Sequence, residues 1–521
     1  MKLKVITIAA ALGVLVAASS CTKNIPEYNN ALYGATDEDL QRSAQGGNEL
    51  KNLITWVIPN QENGFQMTPN IVGGPLSGFA SATGFIDDIA AYAPRSGWNA
   101  YPYTDTYPNH LYNNYRLLFE KAKGDLNEPY FALGQILRVA ITSSISDIYG
   151  PVPYSKITGT NLTAPYDTQE ELYTNMLKDL QDATAALDKL PDTYQKYQFY
   201  DEVYKGNMHK WADYGRSLML RLAIRISGVA PAMAKQYGEW AVANGVISSN
   251  DANATLPSGD NPLYKIEIAW LDSRAGADVV EYLKAYSDPR LSAMIKPGVN
   301  GDYVGLRSSQ KSMKEQAEVL AKHASTNITS TSPITWISAA EVSFLKAEGK
   351  LLGWNMGGES AKALYENGIR LSFEQWGVSG VADYLLVTAK RGGYTDPYVP
   401  ENDLPSFSSD VTVNWESAAG DVAAQKAMIA TQKWIALFPY NTIEAWAEWR
   451  RTGYPNLLPA IKNLSQGTVA DIHQVDGRDE GGMRRLMFPQ TEYDSNKAGV
   501  ELGVQDIGGK DSYAANLWWD D

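Results

Sequence analysis

The chain has 521 residues, with 45 Lys and Arg against 59 Asp and Glu, a net charge of −14. So acidic a protein excludes nucleic acid as a partner, because phosphates demand a basic footprint, and it disfavours anionic lipid surfaces. Its single cysteine leaves no disulfide to support the fold, so stability has to come from the core.

Lys2 and Lys4 precede an uncharged apolar run, Val5 to Ala18. Its 14 residues fall short of the ~20 needed to span a bilayer, and its flanks fit a secretory signal peptide over residues 1–20. Small residues, Ala17-Ala18-Ser19-Ser20, lead directly to Cys21. The stretch LVAASSC resembles the lipobox of bacterial lipoproteins, which makes Cys21 the lipidation site. Residues 21–33 then form a tether to the membrane, and residues 34–521 a single α-rich body. Losing residues 1–20 removes two lysines and no acid, which takes the net charge from −14 to −16. No other apolar stretch approaches spanning length.

Along the body the periodicity is mostly helical. Tyr112, Tyr115, Leu118 and Phe119 repeat at i, i+3 and i+4, and the pattern resumes from Phe131 to Ile148. Leu172, Met176, Leu180 and Leu187 form another amphipathic run, closed by Pro191. Trp211 to Ile226 places Leu218, Leu222 and Ile226 on one stripe, with Arg221 and Arg225 beside it. Residues 228–333 are rich in Asn, Gly, Ser and Pro. There Tyr264-Lys265-Ile266-Glu267-Ile268 reads as a short strand, and Asn300-Gly301 as a hairpin turn. Helices return at Ile337 to Gly353 and Ser360 to Trp376. A last one begins at Asn441, with Glu444 three residues on, and stops at Gly453 before Pro455. The expected architecture is mainly α, a scaffold of helical pairs at about 108–148, 170–227, 336–376 and 422–452, with a loop-rich sector at 228–333 and a few short strands. Pairs of ~35 residues have the size of tetratricopeptide units.

Ligand contacts belong on loops held by such a scaffold. The chain has 31 Tyr and 14 Trp against 11 Phe, a bias toward apolar plates with a polar handle that suits sugars or peptides. The densest candidate is Tyr92 to Tyr103, whose aromatics, interleaved with Gly and Pro, cannot share one helical stripe. Trp98, Tyr101 and Tyr103 would supply plates, and Arg95 and Asn99 hydrogen bonds. Trp270 with Asp272 and Arg274 forms a second group, and Tyr303 with Arg307 a third. In each, the alternative is that the side chains only plug onto the body. The loops offer groups for a glycan and for a peptide alike.

Catalysis finds little footing. His110, His209, His323 and His473 stand far apart without HExxH spacing, so zinc hydrolysis lacks its usual ligands. There is no GxSxG elbow or P-loop, and no thiol after Cys21. A glycosidase needs only two carboxylates, so a surface-anchored glycoside hydrolase is the alternative reading. No cofactor is implied. Asp494 to Gly499 is similar to a calcium loop, but Ala498 sits at a ligand position and Gln505 replaces the closing Glu. Incidental Ca²⁺ on this acidic surface stays open.

Several stretches together carry a family resemblance: ISDIYGPVPYSKI (145–157), DPRL (288–291), WISAAEVSFLKAEGKLLGW (336–354), EAWAEWRRTGYPNL (444–457), RRLMFPQTEYDSN (484–496) and NLWWD (516–520). With the lipobox, they resemble the SusD/RagB-like nutrient-binding outer-membrane lipoproteins. The resemblance implies a TPR-like helical scaffold, no catalysis, and a SusC-like TonB-dependent transporter as partner. It further implies capture of an oligosaccharide or peptide at the cell surface. Phe344, Leu345 and Glu348 would then pack the scaffold, and Arg450, Arg451, Arg484 and Arg485 would make ion pairs or bind carbonyls. Surface-exported lipoproteins of such bacteria carry acids close behind the cysteine. Thr22-Lys23-Asn24-Ile25-Pro26-Glu27 departs from that pattern, which leaves periplasmic retention open.

Overall fold

A computed structural model describes residues 45–84, 89–157, 163–307 and 316–520, together with all their side chains except those of Ser96 and Asn99. The signal peptide, Cys21 and the tether lie outside these residues. The first described helix, α1 (Gly47–Ile54), turns Leu50, Leu53 and Ile54 inward. Helix α2 (Ser96–Asp105) continues through a π-helical segment, Thr106–Tyr112, into α3 (Asn113–Ala122). Pro108 cannot donate the usual i→i−4 bond, and the wider π register absorbs the missing donor. Pro69 is accommodated in the same way within the π-helical Gln66–Gly73.

Helix α4 (Pro129–Tyr149) buries every residue except Ser144. A helix that is apolar nearly all round belongs at the centre of a core, and the other helices gather about it. Helix α5 (Gln169–Leu187) opens on a capping box in which Thr168 and Glu171 satisfy each other's backbone N–H groups. Side-chain caps also start α6 (Met208–Arg225) at Asn207, α9 (Ala339–Leu351) at Ser338, α10 (Ala361–Gln375) at Ser360 and α11 (Val422–Leu437) at Asp421. Helix α12 (Thr442–Thr452) ends on left-handed Gly453, as its sequence stop requires. Contacts run pairwise along the chain, α4 with α5, α5 with α6, α9 with α10 and α11 with α12, giving the helical-pair scaffold.

The sector 228–333 is less irregular than its composition suggests. It holds α7 (Pro231–Asn244) and α8 (Ala277–Ala285). The stretch 264–268 is helical and not a strand. Asn261 accepts the Tyr264 N–H, Pro262 occupies the first position, and a π-helical turn follows over Lys265–Ala269. An Asn–Pro start outweighs a short alternating pattern. Gly301 does make a tight turn, with its N–H bonded to the Gly298 carbonyl at 2.9 Å. It does not close a two-residue hairpin, because β4 (Ile295–Lys296) pairs with the distant β5 (Ser325–Thr326). The remaining strands are equally short: β1 (Ala80–Ala82) pairs antiparallel with β3 (Ser273–Ala275), β2 (Ala254–Leu256) with β6 (Ile334–Ile337), and β7 (His473–Val475) with β8 (Arg478–Glu480).

Ions, not only hydrocarbon, occupy the junction of α4, α6, α9, α11 and α12. The fully buried Arg225 contacts Asp147 at 3.0 Å, Glu444 at 2.7 Å and Glu448 at 3.1 Å. Arg221 pairs with Glu341 at 2.7 Å, Arg451 reaches Glu348 and Glu448 at 2.8 and 2.7 Å, and Lys433 joins Glu448. Phe344, Leu345 and Glu348 are buried, as expected of scaffold residues. Arg450 donates to the Asp147 carbonyl at 2.7 Å, Arg484 pairs with Asp520, and Arg485 donates to the Tyr149 carbonyl at 2.9 Å and to Asp511.

Candidate functional site

The stretch singled out as a loop, Tyr92 to Tyr103, is mostly the first turns of α2. Pro102 stands inside this short helix, where it removes one donor without ending it. Arg95, extended at φ −70° and ψ 135°, leads into it. Its guanidinium is exposed and lies 4.9 Å from the Trp98 ring centre. Trp98 is half-buried against the core, and a Cβ on the neighbouring Gly97 would meet nothing within 4 Å. The turn thus borders open space at Gly97, with the exposed Arg95 beside a half-buried indole. Tyr101 is half-buried, and burial, with Asp105 beside it, pushes its hydroxyl up to about 12, so it remains a neutral donor. The side chain of Asn99 lies outside the described residues. Tyr103 departs from the group. It is buried on the opposite side and donates to Glu492 at 3.2 Å.

The second group is half structural. Trp270 closes the π-helical turn, half-buried on the core, and Asp272 accepts from Gln66 Nε2 at 3.0 Å. Arg274, 7% exposed, is turned inward onto the carbonyls of Glu267 and Ser273 at 3.0 and 2.9 Å. In the third, Tyr303 packs half-buried on the core. Arg307, also 7% exposed, donates to the Asn402 and Pro459 carbonyls at 2.8 and 2.9 Å. The two arginines strap loop backbones together, with their guanidiniums turned onto carbonyls of the protein itself.

The three groups nonetheless lie on connected backbone. β3 leads into Gly276, which bridges in parallel to Leu306. Arg307 reaches Pro459, and Leu464 donates its N–H to the Ala91 carbonyl at 2.8 Å, a few residues before Arg95. Segments 89–92, 273–276, 303–307 and 459–464 are thus linked to one another through hydrogen bonds shortly before α2 begins.

Sequence reasoning missed a large cavity that Tyr103 enters, lined also by Tyr107, Tyr112, Tyr115, Arg138 and Glu492. Tyr112 and Tyr115 fit a helical core stripe, and nothing local marks Glu492, which arrives from far along the chain. The irregular spacing of tyrosines at 103, 107, 112 and 115 was the only available signal.

These features define the class: a tetratricopeptide-like scaffold of helical pairs whose irregular connecting segments are hydrogen-bonded to one another. Residues 27–520 match the SusD-like family, described as SusD and RagB outer membrane lipoproteins. The chain belongs to that family. It is similar to a SusD homolog from Bacteroides uniformis, with 36% identity, a TM-score of 0.83 and coverage of 92% of this chain and 100% of the other. A SusD homolog from Bacteroides thetaiotaomicron shares 34% identity at a TM-score of 0.81, covering 92% and 99%. A chitin-binding SusD homolog from Flavobacterium johnsoniae shares 34% identity at a TM-score of 0.82, covering 92% and 99%. A comparison with curated protein sequences yields no match.

Proposed function

We propose that the protein captures oligosaccharide at the cell surface without cleaving it and delivers it to a SusC-like TonB-dependent transporter, held to the outer membrane by acyl chains on Cys21. Family membership supports the location, and the chitin-binding relative supports a glycan over a peptide. The carrying observation is the Arg95–Trp98 stack, an aromatic plate with a charged donor at 4.9 Å on the open turn of α2. Sugar rings present a flat apolar face edged by hydroxyls, and a plate flanked by a fixed donor answers both.

Calorimetric titration of the purified protein with chito-, malto- and cello-oligosaccharides, and with peptides as controls, tests the reading. Replacing Trp98 by Ala is expected to weaken glycan binding by about 0.5–1.5 kcal/mol beyond lost contact area, with the thermal midpoint nearly unchanged. Equal affinity in the variant would remove this turn from the site. Release of new reducing ends, abolished by substituting one Asp or Glu, would replace capture by hydrolysis.

A further inference from the structure

Behind α2 lies a partly open chamber of about 780 Å³, within the size range of small-ligand sites. Its wall is a continuous series of rings. Tyr103 meets Tyr107 at 5.2 Å, Tyr107 meets Tyr112 at 5.0 Å, and Tyr112 meets Tyr115 at 6.2 Å between centroids. Tyr115 then meets Phe131 at 5.9 Å, and Phe131 meets Phe119 at 5.8 Å. The series begins at a polar end, where the hydroxyls of Tyr103 and Tyr166 both donate to Glu492, at 3.2 and 2.9 Å. It finishes at Phe119, which is 41% exposed.

The charges at this wall are already committed. Arg138 donates to the Tyr115 hydroxyl at 3.2 Å and to the Tyr154 carbonyl at 2.6 Å, and Asp179 lies 3.9 Å away. Its Nε has no hydrogen-bond partner among the described residues. The rings of Tyr154 and Tyr115, 3.8 and 4.5 Å from the guanidinium carbon, enclose it instead. Arg116 is paired with Glu120 at 3.0 Å. Burial holds the hydroxyls of Tyr103 and Tyr107 far above their ordinary range and pushes Tyr115 up to about 12, so all three stay neutral. Among the described residues of this wall, no cation lacks a carboxylate or ring partner that would have to be given up for an anionic ligand, and Glu492 would repel one.

We propose that this chamber is a second binding site, separate from the Arg95–Trp98 turn, that takes a short neutral oligosaccharide along its ring series and excludes acidic ones. The rings stand tilted or edge-on to one another, so they form a continuous apolar wall against which a linear chain of pyranoses can lay its apolar faces, and the hydroxyls of Tyr107 and Tyr115 are already bonded to the Pro153 carbonyl and to Gln135. The choice of ligand class rests on the proposed capture of glycans; the location of the site does not.

The experiment titrates the full chain with neutral tetrasaccharides (N-acetylglucosamine, maltose and cellulose series) and with an oligogalacturonate. It compares wild type with Phe119→Ala, which removes an exposed plate, Asn113→Trp, which narrows the chamber from an exposed helix start, and Trp98→Ala. Two binding components for a neutral sugar are expected. One should weaken about three- to tenfold in both chamber variants and persist in Trp98→Ala, and the acidic oligomer should not compete for it. Unchanged binding in both chamber variants, with loss only in Trp98→Ala, overturns the chamber and leaves the proposed function standing. Preference for the acidic oligomer overturns it as well. A wild-type protein that binds none of the sugars loses both readings.

Discussion

Asp278 is fully enclosed beside Arg391, where it accepts the Leu458 N–H at 2.8 Å. Burial raises its carboxyl from 3.8 to about 6, with Arg391 and the Leu458 bond opposing. A carboxyl whose folded value lies above its unfolded one favours the fold most when protonated in both states. That contribution is complete below pH ~4 and is lost as the pH rises through about 6, by at most about 3 kcal/mol. Asp278→Asn should therefore flatten the dependence of the thermal midpoint between pH 4 and 7 while keeping the acceptor for Leu458. A variant that follows the wild-type curve would place the titration elsewhere. Individual residues were unevenly legible. The ion pairs and carbonyl contacts of Arg450, Arg451, Arg484 and Arg485 followed from their motifs. The inward turn of Arg274 and Arg307 did not, since Asn402 and Pro459, which Arg307 holds, lie about a hundred residues or more away.

Among the elements, the glycine stop of α12 was readable because it is local chemistry, whereas the cap expected at Asn441 does not form: its side chain makes no bond to the helix and donates instead to the Thr335 carbonyl at 2.9 Å. Ser338, Ser360 and Asp421 each hold the N–H three residues on, and Gly453 ends α12. Gly453 does more than end a helix. Its φ is +72°, and an added Cβ would lie 2.7 Å from the Arg478 Cβ and 3.0 Å from the Asp479 backbone N. Both the left-handed backbone and the close approach of β8 require glycine here. Gly453→Ala should destabilise the protein by more than about 1 kcal/mol, read as a lowered urea midpoint. The turn at 265–269 was misjudged because its short alternation looks like a strand, and α2 because of its proline. Prolines at 69, 102 and 108 look like breakers in sequence, but π-helical turns and short helices accommodate them.

For the molecule as a whole, the apolar periodicity and the motifs conveyed the scaffold of helical pairs, because each pair is encoded within a few dozen residues. The chamber was not legible, since its walls come from α2, α3, α4 and the segment around Glu492. Neither was the way charge organises the centre. Arg225 joins α6 to α4 and α12, and through Glu448 to Lys433 on α11 and Arg451, which reaches Glu348 on α9. Arg225→Met would leave three buried carboxylates without their shared cation and should cost about 3–5 kcal/mol. Arg116→Met, at an exposed pair, should cost under about 1 kcal/mol. Similar unfolding midpoints for the two would show that the central network contributes no more than a surface pair.

Trp98, half-buried, and Tyr103, buried, stand on the same ten-residue helix. If both proposed sites bind, they share this helix, and a shift that tightens one grip would be felt at the other. Thermodynamic reciprocity then sets a symmetric rule, in which the factor by which occupancy outside alters affinity inside equals the factor in the reverse direction. A factor of one in both directions would show that the helix carries no connection between the two sites.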